Sequence, residues 1–586
     1  MQHYTTGQAM TRRLVFFSLG LFSLILVASS ILFLLWGTSF LLQGRVTNWN
    51  YAGFPQAGPF SRTFAQVLLG VLAVCTAVAW AVWFPEETAT LRNKVSAFSS
   101  RHFLTSVIAL SVVTLIVLLL IARLVLQQFP NSGDEYAYLF QAHTFASGRL
   151  WNELPPLERF FTLNWIVEKD GKWVGLYPLG WPGLLTLGSL VGFPEWMVNP
   201  ILASLSIVVL ILLAQRLEGT TVALVAALML ATTPFFLFNA ASYFTHLPVS
   251  LAALVLAYFC VRFCTSGKAI DALLMGGALG VIGLIRYYSS ILFFGSLLIF
   301  FLCTRTPKRL RMFLWICCGA APFLIILLLY NHAITGHALQ NTMQWGFAEI
   351  HISSIGSLAN MVFLRDTVKR IIDNTRELIM FSSLLLLILY GLSLSVKAFK
   401  RDLQFYDFFF IAFVLGYALF MFGPGNQYGP RYYYDAFPFL ILTVVSGAHH
   451  IISNSKTHTA RHMTVHALII TVILSLCSLP FVSLYTYKVI DERRDLFKLV
   501  ETQGIRNAVV VVSNGTGVLW PMSSSDLVRN GISIDREVIF AHDLGQENCK
   551  LQALFPARHF WVYKREPHTV QGRLEPLAWG DCTRAL

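Results

Sequence analysis

Apolar segments of about 20 residues recur through the first 485 positions of this 586-residue chain, and they constrain its fold more than any other feature. Such a segment is long enough to cross the hydrocarbon core of a bilayer as a helix. Inside lipid every backbone polar group must be hydrogen-bonded within the protein, which a helix achieves on its own. The pattern predicts an all-α polytopic membrane protein with about 13 transmembrane helices. These are placed near residues 14–36, 63–84, 104–127, 198–217, 221–241, 245–264, 272–285, 287–304, 312–331, 377–396, 406–423, 435–453 and 464–485.

Charged residues are few, and their distribution predicts the orientation of the chain. Only 12% of the residues are charged, against about 25% in a soluble domain, which excludes an ordinary soluble enzyme. The formal charge is +13, and the excess Lys and Arg lies in alternate short loops, most densely in 304–311, as is typical of cytoplasmic loops. We therefore expect a multi-pass protein of the bacterial inner membrane, embedded in membrane lipids, with its N-terminus in the cytoplasm. No basic stripe with interleaved aromatics suggests a nucleic acid partner.

The order of the segments divides the chain into three predicted parts. Residues 1–103 hold two additional N-terminal transmembrane helices, and residues 104–485 form the transmembrane core. Within that core, 128–180 and 332–376 are long outer loops. Residues 486–586 form a small soluble domain, predicted to be periplasmic.

This C-terminal domain is predicted to have an α/β fold. Short β-branched, apolar or aromatic runs stand between turn signals and follow a segment with helical spacing. Cys549 and Cys582 both lie in this domain, and an oxidising compartment would let them form a disulfide.

Two adjacent acids, Asp134 and Glu135, stand near the start of the first outer loop and are candidates for catalysis. A carboxylate in a partly dehydrated cleft can act as a general base. On a helix the two side chains diverge by about 100°, so they cannot both face one substrate atom. Glu135 has a structural alternative, because Ser132 three residues earlier completes a capping box. Asp134, which shares a helix face with Tyr138, has the stronger claim to chemistry.

Two arginines are predicted at the outer membrane boundary, where each is a candidate for binding phosphate. Arg286 falls between two short apolar segments, and an arginine at that depth is costly without an anion or water. Arg431 lies in a later outer loop beside Tyr432, whose ring is a candidate for stacking on a sugar. His246, at the outer end of a helix, is a candidate for a hydrogen bond to substrate. The structural alternatives are snorkelling for Arg286, packing on tyrosine rings for Arg431, an interfacial position for Tyr432, and a structural hydrogen bond for His246.

Motifs along residues 104–450 resemble those of GT-C glycosyltransferases, and most of all the bacterial relatives of protein O-mannosyltransferases and the lipid A aminoarabinose transferase. The acidic pair after a transmembrane helix carries most of the resemblance, and the other pieces follow in the expected order. The motifs are Asp134-Glu135, Gly148-Arg-Leu-Trp151, Tyr177-Pro-Leu-Gly-Trp-Pro182, Arg216-Leu-Glu-Gly219, Gly280-Val-Ile-Gly-Leu-Ile-Arg286, and Gly429-Pro-Arg-Tyr432 with Pro438.

The resemblance implies an inverting glycosyltransferase. The sugar would pass from a polyprenyl-phosphate-linked donor to a lipid, glycan or protein acceptor at the periplasmic face. The expected site residues are Asp134 and Glu135 for catalysis, Arg286 and Arg431 for the donor phosphate, and Tyr138, His246 and Tyr432 for substrate.

One departure from the family pattern concerns metal binding. Some relatives carry a second acidic residue near the next outer turn, and this sequence has His246 there. A divalent metal is compatible with the sequence but is not required by it, and no metal ligand is assigned.

Two other classes of function stay open at this point. The first is a transporter or flippase of lipid-linked sugars with Asp134 as its coupling site. Against it, the acids lie in an outer loop rather than inside a span, and the sequence shows no paired repeat halves. The second is a non-catalytic assembly subunit whose C-terminal domain binds a partner.

Overall fold

The computed structural model describes residues 85–303, 309–346, 361–419, 427–513, 523–565, 569 and 571–577, together with 49–50, 54–55, 75–76 and 79. The predicted helix at 14–36, most of the predicted helix at 63–84, and Cys582 lie outside these residues. Cys549 is disulfide-bonded.

Helices make up most of the described chain, and the protein is a multi-pass membrane protein. Within the described residues, six helices are long and apolar enough to cross a membrane, or up to eight if each of two bent pairs is one span. The count of about 13 spans stays a prediction. The six are Phe103–Val125, Glu195–Glu218, His246–Ser266, Leu310–Thr335, Arg431–Asn454 and His458–Arg493.

We number the described helices in chain order. They are α1 (Pro85–Arg101), α2 (Phe103–Leu120), α3 (Gly133–Ala146), α4 (Gly180–Leu190), α5 (Glu195–Glu218), α6 (Thr220–Thr232), α7 (Pro234–Ala241), α8 (His246–Ser266), α9 (Ala269–Ile285), α10 (Tyr287–Cys303), α11 (Arg309–Thr335), α12 (Thr342–Gly346), α13 (Met361–Phe381), α14 (Leu384–Phe399), α15 (Phe409–Ala418), α16 (Phe437–Asn454), α17 (His458–Arg493), α18 (Asp495–Thr502) and α19 (Cys549–Leu554).

Two predicted helices are bent in the structure. The predicted segment 221–241 breaks between α6 and α7 with a bend of 65°. Pro234 lacks an N–H and disfavours helical geometry at Thr233, which is extended (φ −78°, ψ 123°). The predicted segment 377–396 is the end of α13 followed, after a bend of 113°, by α14. At this second break Ser383 begins a new helix: its backbone is extended, and its hydroxyl caps α14 by accepting from the N–H of Leu386.

Residues 128–180, predicted as the first outer loop, carry a three-stranded antiparallel sheet. Its strands are β3 (Asn152–Glu153), β4 (Ile166–Lys169) and β5 (Lys172–Gly175), in the order β3-β5-β4. Asp170 and Gly171 join β4 to β5 with positive φ angles of 51° and 73°, as a tight hairpin turn requires. An Asp-Gly pair between two alternating segments is a sequence signal for such a hairpin, and the structure has one at this pair. A separate two-residue pair, β1 (Trp49–Asn50) and β2 (Phe54–Pro55), precedes the helices.

The C-terminal domain has the predicted α/β character. Strands β6 (Ala508–Val512), β7 (Val538–His542) and β8 (His559–Lys564) are parallel, and β9 (Arg573–Pro576) pairs antiparallel with β8 in the order β7-β6-β8-β9. All five residues of the central strand β6 are buried, which explains its unbroken apolar sequence.

The apolar core comprises separate clusters, and one of them joins two predicted parts of the chain. Most transmembrane helices contribute to the largest cluster. In a second cluster, Phe140 and Trp173 from the first outer loop pack with Val510 and Phe540 from the C-terminal domain. The first outer loop is therefore held between the membrane helices and the C-terminal domain.

Candidate functional site

The beginning of α3 is fixed by the capping box predicted from the sequence. Ser132 is extended, and its hydroxyl accepts from the Glu135 N–H at 3.2 Å. In return, a Glu135 carboxylate oxygen accepts from the Ser132 N–H at 3.0 Å. Asp134 lies between them in the first turn of the helix, where the helix dipole favours a negative charge.

Glu135 also connects α3 to the turn that precedes α8. Its second carboxylate oxygen accepts from the Tyr243 N–H at 3.0 Å, and the residue is 1% exposed. Burial raises the pKa of Glu135 to about 7, although the backbone donors oppose this shift. Both oxygens are thus engaged in holding backbone, and the catalytic role assigned to Glu135 stays a prediction.

Asp134 faces a different set of side chains. Arg431 donates from Nη1 to one carboxylate oxygen at 3.1 Å, and the Tyr177 hydroxyl donates to the other. The Asp134 and Arg431 side chains are 13% and 9% exposed. The Tyr138 ring packs against Tyr177, with ring centroids 4.6 Å apart. Asp134 therefore lies at the edge of a largely enclosed aromatic and cationic cluster.

Arg286 lies at the break between α9 and α10, as predicted. Its backbone is extended (φ −148°, ψ 100°), so the side chain leaves the helix axis. The guanidinium donates to the Thr245 hydroxyl and to the Tyr417 hydroxyl, each at 3.1 Å. Its Nε lies 3.6 Å from a carboxylate oxygen of Asp435.

Tyr432 lies between the two arginines. The guanidinium carbons of Arg286 and Arg431 are 5.3 and 5.4 Å from its ring centroid. The ring stacks on Tyr417 at 4.7 Å and meets the His246 ring edge-on at 5.8 Å. An aromatic ring between two cations attracts both through its π-face.

Asp435 is the main member of the cluster that the sequence analysis missed. It is fully buried; one oxygen lies 2.7 Å from His246 Nδ1, and the other accepts from the Ser289 hydroxyl at 2.5 Å. A signal was present, because Asp435 is the single acid between Asp407 and Asp491 in the sequence. Its contact with His246 means that a carboxylate does reach the turn where the family pattern leads one to expect an acid.

The structure brings all seven predicted residues into one neighbourhood. Six line the cluster around Tyr432, and Glu135 lies behind it against the Tyr243 backbone. The further members are Tyr177, Thr245, Ser289, Tyr417 and Asp435. The cluster holds two arginines and two aspartates, so its formal charge is balanced before any ligand binds.

Two donors in this cluster are left without a hydrogen bond. The Nε atoms of Arg286 and Arg431 are buried and have no hydrogen-bond partner among the described residues. Buried polar groups are nearly always partnered, and each unpartnered N–H can donate to an anion. The arrangement can thus receive a phosphate oxygen while a carboxylate stands nearby. Within the described ranges, no group of three or more His, Cys, Asp or Glu side chains could hold a metal ion.

Comparisons with known proteins give one match to a family model and several structural matches. Residues 182–330 match the sequence model of a family described as dolichyl-phosphate-mannose-protein mannosyltransferase. The chain superposes on apo ArnT from Cupriavidus metallidurans with a TM-score of 0.50 and 13% identity, over 79% of this chain and 93% of ArnT. The same protein bound to undecaprenyl phosphate gives 0.46 and 12%, with the same coverage.

A more distant match is AglB, the oligosaccharyltransferase of Archaeoglobus fulgidus, in complex with an inhibitory peptide and a dolichol-phosphate. It gives a TM-score of 0.41 and 11% identity, over 69% of this chain and 62% of AglB. No curated protein matches the sequence. The chain has the fold of ArnT, and the predicted resemblance to GT-C glycosyltransferases is confirmed.

Proposed function

We propose that this protein is an inverting glycosyltransferase that uses a sugar linked to a polyprenyl phosphate. The observation that carries the proposal is the Asp134–Arg431 pair beside Arg286, with two buried guanidinium N–H groups that make no hydrogen bond to any residue the structure describes. The family that matches residues 182–330 is described by a lipid-phosphate-linked sugar donor, and a phosphate of that kind needs such donors.

In the proposed reaction, the donor phosphate accepts hydrogen bonds from Arg286 and Arg431. Asp134 takes the proton from the acceptor hydroxyl or amine as that atom attacks the anomeric carbon. The bond from the anomeric carbon to the phosphate oxygen breaks, and the lipid phosphate leaves with the negative charge. The fixed guanidinium groups stabilise this developing charge. A single displacement inverts the configuration at the anomeric carbon.

The remaining residues would bind and orient the substrates. Tyr138 and Tyr432 present rings at the edge of the cluster, and aromatic rings stack well on sugars. His246, held at Nδ1 by Asp435, has its second ring nitrogen for a substrate hydroxyl. Glu135 would act through the backbone, by holding the start of α3 against the turn at Tyr243.

The proposed cellular setting follows the charge pattern of the loops. The protein would be a multi-pass protein of the bacterial inner membrane with about 13 spans, a cytoplasmic N-terminus and a periplasmic active site. Residues 1–103 would add two helices to a catalytic core at 104–485, and 486–586 would be the periplasmic domain. The acceptor would be a lipid, a glycan or a protein side chain.

Replacing Asp134 by Asn tests the proposal. The purified full-length protein is first analysed by native mass spectrometry for a co-purified lipid-linked sugar, and transfer is then measured with undecaprenyl-phosphate-linked mannose and aminoarabinose. Asp134→Asn should lower kcat by about 10³-fold while undecaprenyl phosphate still binds. The control is Asp170→Asn, the same change at an exposed hairpin turn of the same loop, which should leave kcat unchanged.

Two results would contradict the proposal. Full turnover with Asn at position 134 would remove the proposed base. Translocation of a lipid-linked sugar across vesicles, lost in Asp134→Asn and without any transfer by the wild type, would favour the transporter. Asp134 lies in α3, outside the six candidate spans, which supports the enzyme.

A further inference from the structure

The turn directly before the Asp134 helix is held from the C-terminal side of the chain. Arg529 donates from Nη1 to the Pro130 carbonyl at 2.6 Å. Arg493, at the end of α17, donates to the carbonyl of the next residue, Asn131. Two cations from separate elements thus bind consecutive carbonyls three and four residues before Asp134.

The same contact continues along α3. The Arg529 guanidinium lies over the rings of Phe129 and Tyr136, at 4.7 and 5.1 Å from their centroids. The Gly531 N–H donates to the Tyr136 hydroxyl at 2.8 Å. Residues 529–531 of the C-terminal domain therefore contact both the segment before α3 and the first turn of α3.

Both arginines are buried, which is unusual for charged residues in a contact that only joins two domains. Arg529 is 7% exposed and Arg493 is 4% exposed. Burial lowers the pKa of Arg529 to about 10, so it remains charged at neutral pH. A buried charge is costly unless it is well hydrogen-bonded. By contrast, the pair Arg159–Glu547 joins the same loop and domain across 3.1 Å on the surface, with Arg159 69% exposed.

We propose that Arg529, supported by Arg493, is a positioning residue that sets the orientation of Asp134 through the backbone of Pro130 and Asn131. The proposal rests on the function proposed above, because it assigns the C-terminal domain a role in that same site. In this view the domain does not touch donor or acceptor at Arg529. It fixes the start of α3 so that Asp134 meets Arg431 at the distance observed.

The test compares three full-length variants in detergent: Arg529→Gln, Arg529→Lys and Arg159→Gln. Arg529→Gln should lower kcat about 10- to 100-fold, since small misplacements of a catalytic group have effects of this size. The Kd for undecaprenyl phosphate should change less than about 3-fold, because Arg286 and Arg431 are untouched. Arg529→Lys keeps a charged donor and should recover most of kcat. Arg159→Gln should behave as the wild type.

A second measurement does not depend on enzymatic activity. Hydrogen exchange in peptides that cover residues 131–146 should be faster in Arg529→Gln than in the wild type, and unchanged in Arg159→Gln. If Arg529→Gln does not fold, Tyr136→Phe, which removes the acceptor for Gly531, takes its place in both measurements.

The inference is overturned if Arg529→Gln and Arg159→Gln have equal effects, or if exchange in α3 does not change. It is also overturned if exchange rises while kcat stays at the wild-type value. If the wild type transfers no sugar, the proposed function fails, and the exchange measurement still decides whether Arg529 holds the helix.

Discussion

Two buried charge clusters flank α16, and they are built differently. Beside the middle of the helix, Lys397 and Asp407 are both fully buried, with nitrogen and oxygen 2.6 Å apart. Asp407 also accepts from the Thr443 hydroxyl at 2.8 Å and the Gln404 N–H at 2.7 Å. Before the start of the helix lies the Arg286–Asp435 pair, separated by 3.6 Å, in which the Arg286 Nε has no hydrogen-bond partner within the described residues.

The two clusters differ in whether all of their buried polar atoms are hydrogen-bonded. Neither Lys397 nor Asp407 has a buried side-chain atom without a hydrogen bond, so this cluster can gain nothing from a ligand. In the cluster around Tyr432, the Nε atoms of Arg286 and Arg431 make no hydrogen bond to the described residues, and Arg286 lies 3.6 Å from Asp435. Buried charge is therefore structural in one place and suited to binding in the other, although both arise from similar residues.

Removal of Lys397 should have the largest effect on stability. Lys397→Met leaves the Asp407 charge buried without its cation, which costs about 3–5 kcal/mol in comparable cases. The free energy of unfolding is measured by denaturant titration in micelles. The Kd for undecaprenyl phosphate should not change in the protein that remains folded.

The matched control for that variant neutralises both partners. Lys397→Met combined with Asp407→Asn removes the buried charge and keeps one acceptor oxygen for the Gln404 N–H, while the amide NH₂ can donate to the Thr443 hydroxyl. It should recover more than half of the lost free energy. A loss of donor affinity in either protein would mean that the two clusters are not separate in function.

Removal of Arg286 should affect donor binding more than stability, the opposite of what is expected for Lys397. Arg286→Gln removes one charged donor to the phosphate, and hydrogen bonds to charged groups contribute about 1.5–3 kcal/mol. The Kd for undecaprenyl phosphate, measured by calorimetry, should rise about 10- to 100-fold. Stability should fall less than in Lys397→Met, because Arg286 is 16% exposed and lies 3.6 Å from Asp435, whereas Lys397 is fully buried 2.6 Å from Asp407. An unchanged Kd would exclude Arg286 from the donor site.

Much of the local structure could be predicted because it depends on neighbours in the sequence. The capping box at Ser132 and Glu135 follows from residue types three positions apart. The turn at Asp170 and Gly171 follows from the positive φ angles that such a pair tolerates. Arg286 separates two apolar segments that are each shorter than a usual transmembrane helix, so the sequence places it at a break between two helices.

The rest depends on pairs that are distant in the sequence. Asp435 meets His246 across 189 positions, and no periodicity within either helix indicates that contact. The contact of Arg529 with Pro130 spans 399 positions, so the role of the C-terminal domain at the site was hidden. The sharp bend between α13 and α14 was missed because the apolar pattern runs through Ser382 and Ser383 without a proline.

Glu135 should make stability depend on pH. Burial raises the pKa of its carboxyl from 4.5 to about 7, so between these values the folded protein binds the proton more tightly than the unfolded chain. The contribution of Glu135 to the free energy of unfolding should therefore fall as pH rises from about 4.5 to about 7, by at most about 1.4 kcal/mol per pH unit, and then level off. The difference in the free energy of unfolding between the wild type and Glu135→Gln should therefore fall over this range, and Glu153→Gln, at an exposed position of the same loop, should follow the wild type at every pH. A difference between the wild type and Glu135→Gln that stays constant or grows over that range would contradict the prediction.

The smallest effect is expected at Tyr432, whose ring lies between the two guanidinium groups. Cation–π contacts contribute about 0.5–2 kcal/mol. Without the ring, the two guanidinium groups lose a neighbour that helps to hold both in place, so they would be less well positioned for the donor phosphate. Tyr432→Leu should therefore raise the Kd for undecaprenyl phosphate about 5-fold, and Tyr432→Phe, which keeps the π-face, should leave it nearly unchanged. Equal losses in the two variants would show that the hydroxyl matters and the ring does not, and the spacing of the two arginines would then need another cause.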